Sequence, residues 1–132
     1  MNEKDNITVI SNAYAAFVRG DIPGVLSALA SDVDWHVPGP VEAPYVGRRK
    51  SRDDVGRFFA DVAKSVEFTV FEPQEFVAQG DRVVALGHYE GRVRTTGKPF
   101  AADWAMTWRL RDGKVVAFRE FTDTQSIGAA FR

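Results

Sequence analysis

At 132 residues, 45% of them hydrophobic and 12% aromatic, the chain can bury roughly two-thirds of its unfolded surface in one core without disulfides or metal. Seventeen basic residues against eighteen acidic ones give a net charge of -1, which excludes the basic footprint of a nucleic-acid binder. The absence of cysteine excludes disulfides, thiolate metal sites and cysteine nucleophiles.

In chain order, Ile10, Ala13, Tyr14 and Phe17 recur at three- and four-residue spacing, which predicts a helix over 7–19 ended by Gly20. Asp21 is a natural N-cap with Pro23 in the first turn, opening a short helix that turns Val25, Leu26 and Leu29 inward. VDWHV at 33–37 alternates as a strand, and the following PGPVEAP forbids its continuation. GRRKSR at 47–52 reads as a solvated loop. Ser51 with Asp54 then approximates a capping box for a third helix that buries Val55, Phe58, Phe59 and Val62. Segments 66–77, 82–94, 100–110 and 115–122 read as strands separated by QGD, TTGK and RDGK turns. Helices followed by an antiparallel meander give an α+β fold in a single domain, 1–132, with helices on one face of a curved sheet. MNEKDNITVI carries no apolar leader and no stretch is long enough to span a bilayer, so a cytoplasmic protein with no membrane partner is expected.

The last hairpin sets which way Glu120 points, because a one-residue slip turns every side chain to the other face. A three-residue loop Arg111-Asp112-Gly113, with Gly113 in the left-handed position of a bulge, sorts the chemistry best. It pairs Trp104 with Glu120, Met106 with Phe118 and Trp108 with Val116, and sends Asp103, Arg109 and Arg119 to the opposite face. The same closure at Thr95-Thr96-Gly97 sets His88 beside Trp104 and Leu86 beside Met106. The resulting face has a floor of Val84, Leu86, Met106, Trp108, Val116 and Phe118, with His88, Glu90, Glu120 and Thr122 at one end. An apolar floor with a few convergent polar groups describes a ligand pocket. A carboxyl beside Trp104 and Phe118 is desolvated, which raises its pKa toward the range useful for proton transfer.

The chain as a whole resembles the SnoaL-like polyketide cyclases of the nuclear transport factor 2-like superfamily, which also holds ketosteroid isomerases. The residues carrying the resemblance are YAAFVRGDIPGVLSALASDVDWHVPGP, GRRKSRDDVGRFF, GDRVVALG, TGKPFAADW and LRDGKVVAFREFTD. It implies a cone-shaped domain, three N-terminal helices packed on a strongly curved antiparallel sheet around an internal cavity, and a homodimer. It also implies that the cyclases' catalytic aspartate falls on Glu120, one methylene longer here. The cyclases' partner histidine and the isomerases' oxyanion-hole aspartate fall on Met106, the isomerases' general base on Val37, and their oxyanion-hole tyrosine on Ala13, with Tyr14 one residue along.

Two readings follow from these residues. One is an isomerase or cyclase moving a proton on an apolar carbonyl or polyketide-like compound, with Glu120 and His88 as catalytic groups. Tyr14, Trp35, Phe58, Trp104, Met106, Trp108, Phe118 and Thr122 then hold the ligand. The other is a non-catalytic ligand-binding or dimerisation module, which the apolar Met106 favours. No cofactor is expected, and two histidines without spacing to a carboxylate cluster give no metal site. The expected partners are a small apolar or aromatic ligand and a second copy of the chain.

Overall fold

The computed structural model describes residues 2–132. Helix α1 (Glu3–Val18) starts earlier than the apolar spacing alone indicates, because the Asn2 side chain caps it by accepting from the Asp5 amide at 2.8 Å. Gly20 ends it at φ 79°. Helix α2 (Ile22–Leu26) is capped by Asp21, and Leu29 opens strand β1 (Leu29–Val37) rather than closing the helix. A short strand β2 (Gly47–Arg49) lies where a loop was expected, and helix α3 (Arg52–Ser65) follows with Ser51 accepting from the Asp54 amide at 3.1 Å. Strands β3 (Val66–Gln79), β4 (Arg82–Val93), β5 (Pro99–Arg111) and β6 (Lys114–Thr122) form the meander, and a C-terminal helix α4 (Thr124–Phe131), not foreseen from the sequence, closes the chain. No helix among the described residues is long and apolar enough to cross a membrane.

The strands make one sheet in the order β2-β1-β6-β5-β4-β3. Its pairings are antiparallel except β1 with β6, which is parallel. The sheet is therefore mixed rather than purely antiparallel. Along β4 the small and apolar residues Val83, Ala85, Gly87, Tyr89, Gly91 and Val93 are buried under the helices, while Arg82, Leu86, Glu90 and Arg92 are exposed. Two bulges on β3, between Phe68 and Val70 and between Pro73 and Glu75, bend the sheet against β4.

At this bend each buried glycine of β4 lies directly opposite an aromatic residue, Gly87 opposite Trp104 and Gly91 opposite Phe100. The ring takes the space a side chain would need. A Cβ at Gly87 would stand 2.3 Å from Trp104 Cζ2 and 2.5 Å from the Glu72 carbonyl oxygen, and the latter is backbone that only a shift of the sheet can move. Gly87→Ala is expected to lose about 3 kcal/mol or more through overpacking. Gly56→Ala in α3, where the new Cβ would meet only Leu26 Cδ1 at 3.5 Å, should instead gain about 1 kcal/mol from helix propensity. Urea midpoints of the two variants check this. Equal midpoints would show that the close approach of Trp104 to β4 does not constrain the sheet.

Candidate functional site

Between the concave face of the sheet and the helices lies a cavity of about 80 Å³, lined by nineteen residues. Its walls are aromatic and aliphatic, and Glu120 is the one carboxylate among them. The packing of the walls follows from the register. Trp35 and Phe118 are partners across β1 and β6, and their rings stack at 3.9 Å and 18°. Trp108 is opposite Phe118 on β5 and meets it edge-on at 4.6 Å. Phe58 from α3 covers Trp35 at 5.6 Å.

Tyr14 reaches into the cavity from α1, and its hydroxyl is fully engaged. It accepts from the Trp108 indole N–H at 3.0 Å and donates to Met106 Sδ at 3.1 Å. The Met106 position, opposite Glu120 on β5, is thus occupied by a thioether bonded to Tyr14.

Glu120 lines the cavity from β6. Burial pushes its carboxyl up to about 7 from an ordinary 4.5, against a small opposing effect of the Tyr89 hydroxyl. That opposition is weak because Tyr89 donates to Thr122 Oγ1 at 2.8 Å and reaches Glu120 Oε2 only at 3.5 Å. A second hydroxyl, Tyr45, shares the cavity lining. Its own pKa is raised by burial first and then by the negative charge of Glu120. The site thus holds a carboxyl that is half-protonated near neutral pH beside two phenols that stay protonated, so it can both give and take a proton in a largely apolar enclosure. Among the described residues no three or more histidine, aspartate or glutamate side chains are placed to hold a metal ion.

The structure brings Glu120, Tyr14, Trp35, Phe58, Met106, Trp108 and Phe118 together on this cavity. It separates His88, Trp104 and Thr122 from it. The loop after β4 has four residues, Arg94 to Gly97, with the Val93 amide donating to the Lys98 carbonyl oxygen at 3.0 Å and Gly97 at φ 73°. This shifts the expected three-residue closure by one. His88 therefore pairs with Asp103 instead of Trp104, and Val84, Leu86, His88 and Glu90 all move to the outer face of the sheet. There the two ring nitrogens of His88 are each 2.8 Å from a carboxylate, Nδ1 from Asp103 and Nε2 from Glu90, and these bonds raise its pKa. His88 is a member of an outer charge cluster, not a cavity group. Trp104 is buried but packs beneath Tyr14 at 5.6 Å and over Gly87. Thr122 lies behind Tyr89 as its acceptor.

The last hairpin corrects the expected register differently. It closes through a two-residue Asp112-Gly113 turn, both residues at positive φ (51° and 79°), and a bulge between Arg109 and Leu110 then moves the ladder by one. Met106 therefore faces Glu120, Trp108 faces Phe118 and Trp104 faces Thr122. The error in the expected pairing is two residues, which preserves the face, so Glu120 stays inside while Val116 yields its buried place to Val115.

Tyr89 and Tyr45 were not foreseen. The signal for Tyr89 was present: the alternate set on β4 that contains it carries no charge, whereas the set containing His88 carries Arg82, Glu90 and Arg92. Tyr45 sits in the proline-rich segment after β1, where no periodicity speaks. GRRKSR proves to be partly structural, since Arg49 is held by Asp61 at 3.1 Å and Asp54 at 3.4 Å and lies over the Phe58 ring.

Comparison with known proteins agrees with this architecture. The SnoaL-like domain matches residues 10–118. A nuclear transport factor 2-like protein from Burkholderia xenovorans is 33% identical, covering 100% of this chain and 99% of that one, with a TM-score of 0.90. TerC, crystallised with polyporic acid, is 31% identical, covering 96% of this chain and 98% of that one, with a TM-score of 0.86. An uncharacterized protein of Mycobacterium tuberculosis is 24% identical over 92% of this chain and 91% of its own. With a sheet bent around a carboxylate-bearing cavity and a family match over most of its length, the chain belongs to the SnoaL-like domain family of nuclear transport factor 2-like folds.

Proposed function

We propose that the cavity binds a small aromatic, carbonyl-bearing compound and that Glu120 transfers a proton on it, in an isomerase or cyclase reaction. The observation that carries this reading is a lone carboxyl, raised to about 7, in an otherwise apolar and aromatic enclosure. In the ionised form it removes a proton from a carbon made acidic by a neighbouring carbonyl, and in the acid form it returns that proton elsewhere on the same molecule. Tyr45, whose hydroxyl makes no hydrogen bond among the described residues, is suited to donate to the carbonyl oxygen as charge develops there. The co-crystal of TerC with polyporic acid supports the binding of a small organic ligand.

The second reading, a binding module without catalysis, rests on Met106. It stands opposite Glu120 and is bonded to Tyr14, so no second titratable group assists the carboxyl from that side. One experiment separates the two. Hydroxyquinones and aromatic ketones are expected to raise the melting temperature, and the stabilising compounds should exchange their activated C–H for deuterium in D₂O with catalytic amounts of protein. Stabilisation without exchange favours the module, and a panel without stabilisation rejects both. We further propose that the working unit is a cytoplasmic homodimer joined through the outer face of the sheet, where Leu86 and Phe121 are 38% and 46% exposed.

A further inference from the structure

The outer face of the sheet holds an open depression of about 220 Å³ above β5, β6 and β1, and the register explains its shape. Ala117 on β6 forms its floor, flanked across the sheet by Arg109 on β5 and Asp34 on β1. In the next row Thr107, Arg119, His36 and Arg48 stand side by side on β5, β6, β1 and β2. Arg82 on β4 is opposite Arg109 and completes the wall. A methyl group ringed by long side chains leaves a hollow, and the long side chains here are arginines.

Four guanidinium groups line the hollow against one carboxylate. That carboxylate, Asp34, is already held by Arg48 and Lys50, each at 3.4 Å. Arg82 and Arg119 make no ion pair among the described residues, and Arg109 reaches only Asp81, at 3.8 Å. Arg119 lies over the Phe121 ring at 4.8 Å, a contact that engages the face of a guanidinium and leaves its N–H edge for hydrogen bonding. His36 Nδ1 is 3.4 Å from Arg48; with the guanidinium as donor, the ring proton sits on Nε2. Burial first, then the charges of Arg48 and Arg119, lower the pKa of His36 against the pull of Asp34, so the hollow is a positively charged place around a neutral imidazole.

We propose that this hollow binds a phosphoryl group, either as free phosphate or as the end of a small phosphate ester. A tetrahedral oxyanion presents oxygens in several directions, which suits guanidinium forks arriving from β2, β4, β5 and β6, whereas the two oxygens of a carboxylate lie in one plane. The volume exceeds the about 150 Å³ that takes a benzene molecule in another protein, so a short organic substituent on the phosphate is accommodated as well. The lining belongs entirely to one chain. A second copy docked on this face competes for the same arginines.

The chain has two histidines, one in the hollow and one at the acidic end of the face, and NMR titration of both tests the site with inorganic phosphate and phenyl phosphate against chloride at matched ionic strength. Phosphate is expected to bring the pKa of His36 back up toward its ordinary value, because it offsets Arg48 and Arg119, and to shift the amides of Thr107 and Ala117 while leaving His88 unchanged. Arg109→Ala should weaken phosphate about tenfold or more, the loss of one charged fork. Arg111→Ala removes the same charge two residues along β5 and outside the lining, and should leave the affinity unchanged. Tighter binding of phenyl phosphate than of phosphate identifies an ester as the occupant, and equal binding the free ion; either supports the site. The proposal is overturned if His36, Thr107 and Ala117 respond to phosphate no more than to chloride, both in the wild type and in Leu86→Glu, which sets a charge at the apolar centre of the proposed dimer interface and so uncovers the arginines. Equal weakening by Arg111→Ala and Arg109→Ala also overturns it, since the effect would then be one of net charge.

Discussion

Glu120→Gln is expected to abolish proton transfer while making the protein more stable near neutral pH. The amide keeps the shape of the side chain and cannot accept or release the proton, so deuterium exchange on a bound carbonyl compound should fall by about 10²- to 10⁴-fold, the usual worth of a general base. The stability effect follows from the raised pKa. Below the unfolded pKa of about 4.5 the carboxyl is protonated in both states and contributes nothing. As pH rises, the unfolded chain ionises first and the folded state pays an increasing penalty, which levels off above the folded value of about 7. A shift of this size corresponds to roughly 3 kcal/mol, and partial exposure of the residue brings the expected gain to about 1–2 kcal/mol at pH 8, with none at pH 4. Urea unfolding of wild type and variant across pH 4 to 8 reads this directly. A variant destabilised at pH 8, with wild-type Glu120 titrating at or below its ordinary value by NMR, would show an ion-pair partner and remove the catalytic reading.

That Glu120 points inward was legible in the sequence because sorting β6 by face is insensitive to a two-residue error. The same logic failed on β4 by one residue, which is the worst possible slip for a strand. Loop length decided it: TTGK reads equally as a three-residue closure or as the tail of the four-residue loop Arg94 to Gly97, and only the latter leaves Arg82, His88, Glu90 and Arg92 on the solvent side. Charge segregation along β4 was a stronger signal than the turn and pointed the right way. The helices were legible through their caps, Asp21 and Ser51 both accepting from the amide three residues on. Helix α4 was hidden because TDTQSIGAAF has small residues at the positions that dock. Gly128 is among them, where a Cβ would stand 2.6 Å from a Glu42 carboxylate oxygen. Tyr45, one of the cavity's three phenols, belongs to a loop whose course depends on tertiary packing.

Reversing one charge on the outer sheet face is expected to turn the proposed homodimer into a monomer, and reversing its complement should restore it. The face is organised about the pair Leu86–Ala105, continued on β6 by Phe121. Four residues to one side lie Arg82 and Arg109, with Arg119 two residues along on β6. On the other side lie His88 with Asp103, then Glu90, and Glu72 on β3 opposite His88. Basic and acidic ends are thus about 14 Å either side of an apolar centre at the usual strand rise. A two-fold axis that runs across the strands, parallel to the sheet and through that centre, sets Arg82 and its neighbour Arg109 against the partner's Glu90 and Arg119 beside the partner's Asp103, each contact made twice. A dimer with this axis is self-complementary, whereas a parallel stacking of the same faces sets like charges against each other. Arg109→Glu or Glu90→Arg alone is expected to raise the dimer Kd about 100-fold, since two symmetric contacts each worth about 1.4 kcal/mol are reversed. The double variant should recover most of it. Sedimentation equilibrium at micromolar concentration and moderate salt measures this. Because the chain has no cysteine, Ala105→Cys offers a unique thiol at the axis. Sheets packed about 10 Å apart put it beyond disulfide reach but within that of a short bis-maleimide, which should link it to its own copy in high yield. A wild-type monomer would reject the dimer altogether. A dimer indifferent to the charge reversals, or linked by the maleimide only weakly at Ala105, would place its interface elsewhere on the chain.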